Sequence, residues 1–183
     1  MAGSALKHKL LSFDGRLRRQ DWWLLGLLVA AVQLVFMGLA YGYLSGPGEP
    51  FLGTLSITES GIAASRGWWV ATGISVLGLW PQLALGVKRG HDIGWNGIWT
   101  SSVYVVSFIV GLAPVDFGTT LGAYADAGQA IFYFSLAAFA ASSLLNLILL
   151  VALGFIDGKP EANRYGPSPK SADNRDDRSP TAS

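Results

Sequence analysis

Four long stretches of this chain contain no charged residue, and they constrain its fold more than any other feature. They are 23, 21, 21 and 29 residues long and cover residues 22–44, 67–87, 95–115 and 128–156. A helix of about 20 residues crosses the roughly 30 Å hydrocarbon core of a membrane. Surface helices of a soluble domain need a polar face, which these stretches lack. We therefore predict an all-α membrane protein, a bundle of four transmembrane helices.

The stretches divide the chain into a membrane domain and three flanking segments. We place the spans at about 22–44, 67–87, 95–115 and 131–156. They form a transmembrane domain over residues 22–156, which follows a basic N-terminal segment over residues 1–21. Residues 157–169 are rich in Gly and Pro, which predicts an ordered, turn-rich loop. Residues 170–183 are polar without periodicity, and we predict a disordered tail.

Lys and Arg residues are distributed unevenly between the two sides that four spans define. Five precede the first span, two lie between the second and third, and five follow the fourth. The opposite side receives only Arg66, so the division is twelve against one. Because positive residues concentrate in cytoplasmic loops, we predict that both termini are cytoplasmic.

The composition excludes several kinds of chemistry. The chain has no Cys, which excludes disulfides, thiol catalysis and cysteine-ligated metal sites. It has only two His residues, and no convincing set of metal ligands is present, so we predict neither a metal site nor a cofactor. The basic residues do not exceed what topology requires, and we therefore predict no nucleic-acid partner.

Three polar segments fall on the predicted cytoplasmic side, and the first of them immediately precedes the first span. It contains Arg16, Arg19, Asp21 and Trp23. Arg16 and Arg19 are three residues apart and share a face if the segment is helical. One interpretation is a basic clamp for anionic lipid headgroups. The alternative is a topology signal beside an aromatic belt.

The second polar segment joins the second and third spans and contains Arg89, His91 and Asp92. A carboxylate that orients an imidazole forms an acid–base pair, so His91 and Asp92 are candidates for proton transfer. The alternative is that Asp92 forms an ion pair with Arg89, or with an arginine of the first segment, and fixes the turn.

The third polar segment follows the last span and contains Asn163 and Tyr165 among several Gly and Pro residues. Asn163, Arg164 and Tyr165 could pack on the other two segments, but the sequence does not determine whether the three segments touch. Within the spans, we expect Gln82 to satisfy backbone groups freed by Pro81, and Gly73 and Gly78 to allow close helix packing.

In this order, the three segments resemble domain-of-unknown-function family 805, a set of small bacterial inner-membrane proteins. The resemblance covers about residues 10–169, and its matching residues are Gly15, Arg16, Arg19, Asp21 and Trp23, then Lys88, Arg89, His91, Asp92, Gly94, Gly97 and Trp99, then Gly158, Asn163, Tyr165, Gly166 and Pro169. Two positions depart from the pattern: residue 90 is Gly instead of a bulky apolar residue, and residue 88 is Lys instead of Arg. The resemblance implies a multi-pass protein of the bacterial inner (cytoplasmic) membrane and implies no activity.

Three classes of function are compatible with these patterns. We favour a structural or interaction role, in which a polar collar on the cytoplasmic face contacts anionic membrane lipids or a protein partner, including a second copy of the chain. Its candidate residues are Arg16, Arg19, Asp21, Trp23, Arg89, His91, Asp92, Asn163 and Tyr165. A small oligomeric transporter or channel is the first alternative. A membrane enzyme that uses His91 and Asp92 is the second, although no nucleophile motif or phosphate loop accompanies them. We assign no catalytic residue.

Overall fold

The computed structural model describes residues 2–44, 55–58, 61–111 and 127–169, which form five helices and one short hairpin. The helices are α1 (Ala2–Leu11), α2 (Arg19–Leu44), α3 (Arg66–Ile93), α4 (Gly97–Gly111) and α5 (Ala127–Phe155). Strands β1 (Leu55–Thr58) and β2 (Gly61–Ala64) pair antiparallel between α2 and α3. The fold is therefore helical as predicted, with α1 and the hairpin as additional elements. The predicted disordered tail lies outside the described residues.

Three of the helices are long and apolar enough to cross a membrane. These are α2 over Arg19–Tyr43, all of α3, and α5 over Leu136–Phe155. The third uncharged stretch contains α4, an apolar helix of 15 described residues. Residues 112–115 of that predicted span lie outside the described residues. The prediction of membrane-spanning helices is thus confirmed for three of the four stretches, by length and composition.

The buried core lies at one end of the bundle, where α3 packs between α2 and α4 and α4 packs on α5. Every residue of α3 from Ala84 to Ile93 is buried. The other core side chains come from the matching ends of α2 and α5 and from the segment before α2: Leu17, Trp22, Val29, Leu149 and Leu153. Farther along the helices, large apolar side chains such as Leu34, Leu77 and Phe134 are exposed. These outward apolar faces match hydrocarbon rather than water.

Helices α2 and α3 approach closely at a glycine. Gln82 Nε2 donates a 2.7 Å hydrogen bond to Gln33 Oε1 across the helix pair. The Gln33 side chain lies directly over Gly78, whereas Gly73 has no neighbouring atom within 4 Å of an added Cβ. Close packing is therefore confirmed for Gly78 and wrong for Gly73. The expectation for Gln82 is also wrong, because its amide nitrogen bonds to the other helix and not to the backbone near Pro81.

Replacing Gly78 should weaken the α2–α3 contact. A Cβ at this position would lie 1.8 Å from Gln33 Nε2, so Gln33 must rotate and its bond to Gln82 is lost. We expect Gly78→Ala to lower the free energy of unfolding by about 1 kcal/mol, the usual range for an interhelical hydrogen bond in a membrane. Denaturation by SDS in mixed micelles measures this. Gly73→Ala is the matched control and should be neutral or slightly stabilising, because Ala favours helix. Equal losses in the two variants would contradict the assignment.

Candidate functional site

The C-terminal end of α5 is closed by side chains from α2 and α3. The last carbonyl groups of a helix have no partner within the helix. At this end, the last three carbonyls of α5 and that of the next residue, Ile156, each accept a hydrogen bond from a side chain. The bonds are Arg89 Nε to Leu153 O (2.7 Å), Trp23 Nε1 to Gly154 O (3.1 Å), Arg19 Nη1 to Phe155 O (3.4 Å) and Arg89 Nη2 to Ile156 O. Three of the residues singled out from the sequence, Arg19, Trp23 and Arg89, therefore act together on one helix end.

A buried ion cluster lies beside this helix end. Asp92 Oδ1 lies 2.9 Å from Arg16 Nη2 and accepts a 3.0 Å bond from Arg16 Nε, while Oδ2 accepts a bond from Arg89 Nη1. The side chains of Arg16, Arg89 and Asp92 are 1%, 0% and 5% exposed. We call these three residues the arginine–aspartate cluster. Both carboxylate oxygens of Asp92 are engaged by arginines within it.

The cluster also holds the segment that follows α5. Arg16 Nη1 donates to Glu161 O at 2.6 Å, and Arg16 Nη2 donates to Lys159 O. The Lys159 backbone N–H donates to Asp92 O at 2.9 Å. Gly158 lies so close that an added Cβ would be 1.9 Å from Asp92 Oδ2. The first, second and third polar segments are therefore in direct mutual contact.

The cluster contains two guanidinium groups and one carboxylate, and thus a surplus positive charge. The backbone surrounding it compensates this charge, because the C-terminal ends of α3 and α5 carry partial negative charge. Asp92 O and Leu153 O, both in last turns, accept bonds from Arg16 (3.3 Å) and Arg89 (2.7 Å). Arginine suits this role because its fork presents five donors in fixed directions.

His91, Asn163 and Tyr165 form a second set of contacts on the same surface. Asn163 Nδ2 donates to His91 O at 2.9 Å, and Asn163 Oδ1 accepts from the Tyr165 backbone N–H at 2.9 Å. The Tyr165 ring stacks on the His91 imidazole, with centroids 3.6 Å apart and planes 6° apart. Arg164 in turn lies 4.7 Å above the Tyr165 ring. The third segment is thus fixed to α3 by both hydrogen bonds and ring stacking.

His91 and Asp92 do not form a hydrogen-bonded pair within the described part of the chain. His91 Nδ1 lies 3.2 Å from Gly15 O, and since a carbonyl only accepts, this nitrogen is the donor. Asp92 is held by Arg16 and Arg89. Of the two interpretations for this segment, the geometry supports the ion pair, and Asp92 pairs with both of the arginines considered.

Helix α1 lies beside the cluster and is capped by Lys88. Lys88 Nζ donates to His8 O at 3.0 Å and to Lys9 O, at the C-terminal end of α1. Lys9 also forms a 2.7 Å ion pair with Asp21. Asp21 therefore contacts α1 and not the arginine–aspartate cluster.

The presence of Gly at position 90, where the family pattern has a bulky apolar residue, is explained by the neighbouring Thr100 on α4. A Cβ at residue 90 would lie 3.0 Å from Thr100 Cγ2, and Thr100 is fully buried. A bulky residue at position 90 would therefore displace Thr100, which occupies that volume in this chain.

Two cations at the edge of the site, Lys159 and Arg164, lie outside the candidates chosen from the sequence. Both are exposed, and within the described residues neither forms an ion pair with a carboxylate. Across the same described ranges, no group of three or more His, Asp or Glu side chains is placed to hold a metal ion. The buried interior of the site therefore holds the helices together, and its exposed edge carries the positive charges of Lys159 and Arg164.

Removing the charge of Asp92 should destabilise the fold strongly. Asp92→Asn leaves two buried guanidinium groups without a counter-charge, and breaking a buried pair costs about 3–5 kcal/mol. We expect a loss of this size in the free energy of unfolding in detergent. Asp157→Asn is the control, because the Arg19–Asp157 pair is 3.4 Å long and largely exposed, and should change stability by about 1 kcal/mol or less. A loss at Asp92 as small as that at Asp157 would contradict the role of the cluster.

Comparison with known proteins agrees with the motifs that meet in this site. A family model described as "Protein of unknown function (DUF805)" matches residues 10–167. The match includes every residue of the arginine–aspartate cluster and confirms the resemblance noted from the sequence. Searches of curated proteins and of solved structures gave no match. The chain belongs to the DUF805 family.

Proposed function

We propose that the chain is a four-span protein of the bacterial inner membrane with both termini in the cytoplasm. We further propose that it has a structural or interaction role and contacts anionic lipid at its cytoplasmic end. The observation that carries the proposal is the direct contact among the three polar segments around Asp92.

These contacts constrain how often the chain crosses the membrane. Arg16, Asp92 and Lys159 bond to one another and so lie on one side, which requires an even number of crossings between each pair. Helices α2 and α3 provide two crossings between Arg16 and Asp92. Between Asp92 and Lys159, α5 has 29 residues and a length of about 43 Å, enough for one crossing. A second crossing between these two residues must then include α4, which supports four spans.

The distribution of charge supports the orientation. The side that carries the contacting segments receives twelve of the 13 Lys and Arg residues. This is the bias found on cytoplasmic faces.

Charge and aromatic residues at this end support contact with anionic lipid. Arg16 and Arg89 are buried and bonded within the protein, so they are not available to lipid phosphates. Lys159 and Arg164 remain exposed, and Trp95 and Trp99 are exposed nearby. Exposed basic side chains beside interfacial tryptophans are suited to anionic headgroups.

Cysteine labelling tests the topology, since the chain has no Cys of its own. The variants are Leu6→Cys, Asn96→Cys and Glu161→Cys for the proposed cytoplasmic side, and Ser56→Cys and Thr119→Cys for the opposite side. An impermeant maleimide should label only the last two in intact cells and all five after permeabilisation. Labelling of Asn96→Cys or Glu161→Cys in intact cells would contradict the proposal.

Lipid-dependent stability tests the proposed role. Purified wild-type protein in mild detergent should show a higher Tm with dioleoyl-phosphatidylglycerol than with dioleoyl-phosphatidylcholine, because only the former carries net negative charge. The acyl chains are identical, so the difference reports the headgroup. Equal Tm values with the two lipids would contradict a role in binding anionic lipid.

A further inference from the structure

A groove between α4 and α5 opens next to the exposed cations. Its volume is about 590 Å³, within the range of small-molecule sites. Trp99 and Val103 lie one turn apart on α4, and Leu145 and Leu149 lie one turn apart on α5. The groove therefore follows the helix axes and is apolar along its length.

One end of the groove is polar. Asn96 and Arg164 line it there, on the side of the bundle that holds the arginine–aspartate cluster. The Lys159 side chain crosses the adjacent Gly94, where an added Cβ would lie 2.6 Å from Lys159 Nζ. A phospholipid has the same arrangement, since its apolar chain runs into the bilayer and its charged headgroup stays at the interface.

The Arg164 guanidinium is held in place by the Tyr165 ring and, behind it, the His91 ring. Arg164 lies 4.7 Å above the Tyr165 ring and donates to the Tyr165 hydroxyl. Tyr165 stacks at 3.6 Å on His91, which is buried and bonded to Gly15 O. A cation fixed in this way loses less conformational entropy when it binds an anion. Arg164 also forms no ion pair with any described carboxylate, so its charge is available.

From these observations we infer that the groove is a binding site for one anionic phospholipid. An acyl chain occupies the space between α4 and α5, and the phosphate contacts Arg164 with Lys159 beside it. The inference rests on the proposed lipid contact and gives it a location. Because apolar contact and charge both contribute, inorganic phosphate without an acyl chain should not bind with comparable affinity.

Two pairs of variants test the site. Phosphatidylglycerol is titrated into the full-length protein in detergent, and the shift in Tm measures binding. Arg164→Gln should weaken phosphatidylglycerol binding about tenfold, the usual effect of losing one hydrogen bond to a charged group. Lys7→Gln, which removes an exposed charge on α1, should leave binding unchanged. Leu145→Trp fills the groove and should remove binding, whereas Leu144→Trp, on the neighbouring exposed position outside the groove, should not.

The two proposals fail in different ways. If wild-type protein does not distinguish phosphatidylglycerol from phosphatidylcholine, the proposed lipid role fails, and the groove assignment with it. If wild type prefers phosphatidylglycerol but both members of each variant pair behave alike, the groove assignment is overturned and the lipid role stands. A comparable Tm shift from inorganic phosphate would likewise overturn the assignment, since it would show that the acyl chain is not needed. All four substituted side chains are exposed, and circular dichroism before titration verifies that each variant is folded.

Discussion

The structure depends on satisfying the backbone carbonyls at the ends of its helices. Each helix ends with carbonyl groups that lack a partner, and water is scarce where helix ends are packed inside protein. At the end of α5, the single side chain of Arg89 donates three bonds, to Leu153 O, to Ile156 O and to the Asp92 carboxylate. A lysine cannot replace it, since an ammonium group does not present donors in three such directions from one planar fork. The charged Arg89 side chain is therefore buried because the carbonyl groups at this helix end need hydrogen-bond donors.

This arrangement concentrates the specific contacts of the bundle at one end, whereas the helices are less buried along the rest of their length. Between membrane helices there is little hydrophobic driving force, because lipid is as apolar as the side chains. Specific polar contacts must then determine which helices meet. Arg16, Arg89 and Asp92 connect the segment before α2, the end of α3 and the segment after α5, and the apolar core lies at the same end. Farther along, the Gln33–Gln82 bond is a polar contact between α2 and α3.

The long helices were predictable from the sequence, because a helix that crosses a membrane needs an uncharged stretch of about 20 residues. The short helix α1 was not predictable in this way, since its 10 residues are too few to span a membrane. Its end is capped by Lys88, which is 79 and 80 residues away in sequence from the two carbonyls that it bonds. The polar segments around Arg16, Asp92 and Asn163 were identifiable in the sequence, but their mutual contact was not, because charge and composition do not determine how distant segments pack. Their roles were harder to assign, because sequence reports charge but not burial. Arg16 and Arg164 look alike in the sequence, yet one is buried against Asp92 and the other is exposed.

The same burial argues against proton transfer between His91 and Asp92. A proton-transfer pair requires an acceptor oxygen that faces the imidazole. Asp92 directs one oxygen to Arg16 and the other to Arg89, while His91 Nδ1 bonds to Gly15 O and its ring face is covered by Tyr165. A series of contacts on the same surface instead extends outward: the Gly15 carbonyl bonds to His91, His91 stacks on Tyr165, and Tyr165 lies beneath Arg164. The outermost member of that series is Arg164, an exposed cation beside the apolar groove, at the position where the proposed lipid phosphate would bind.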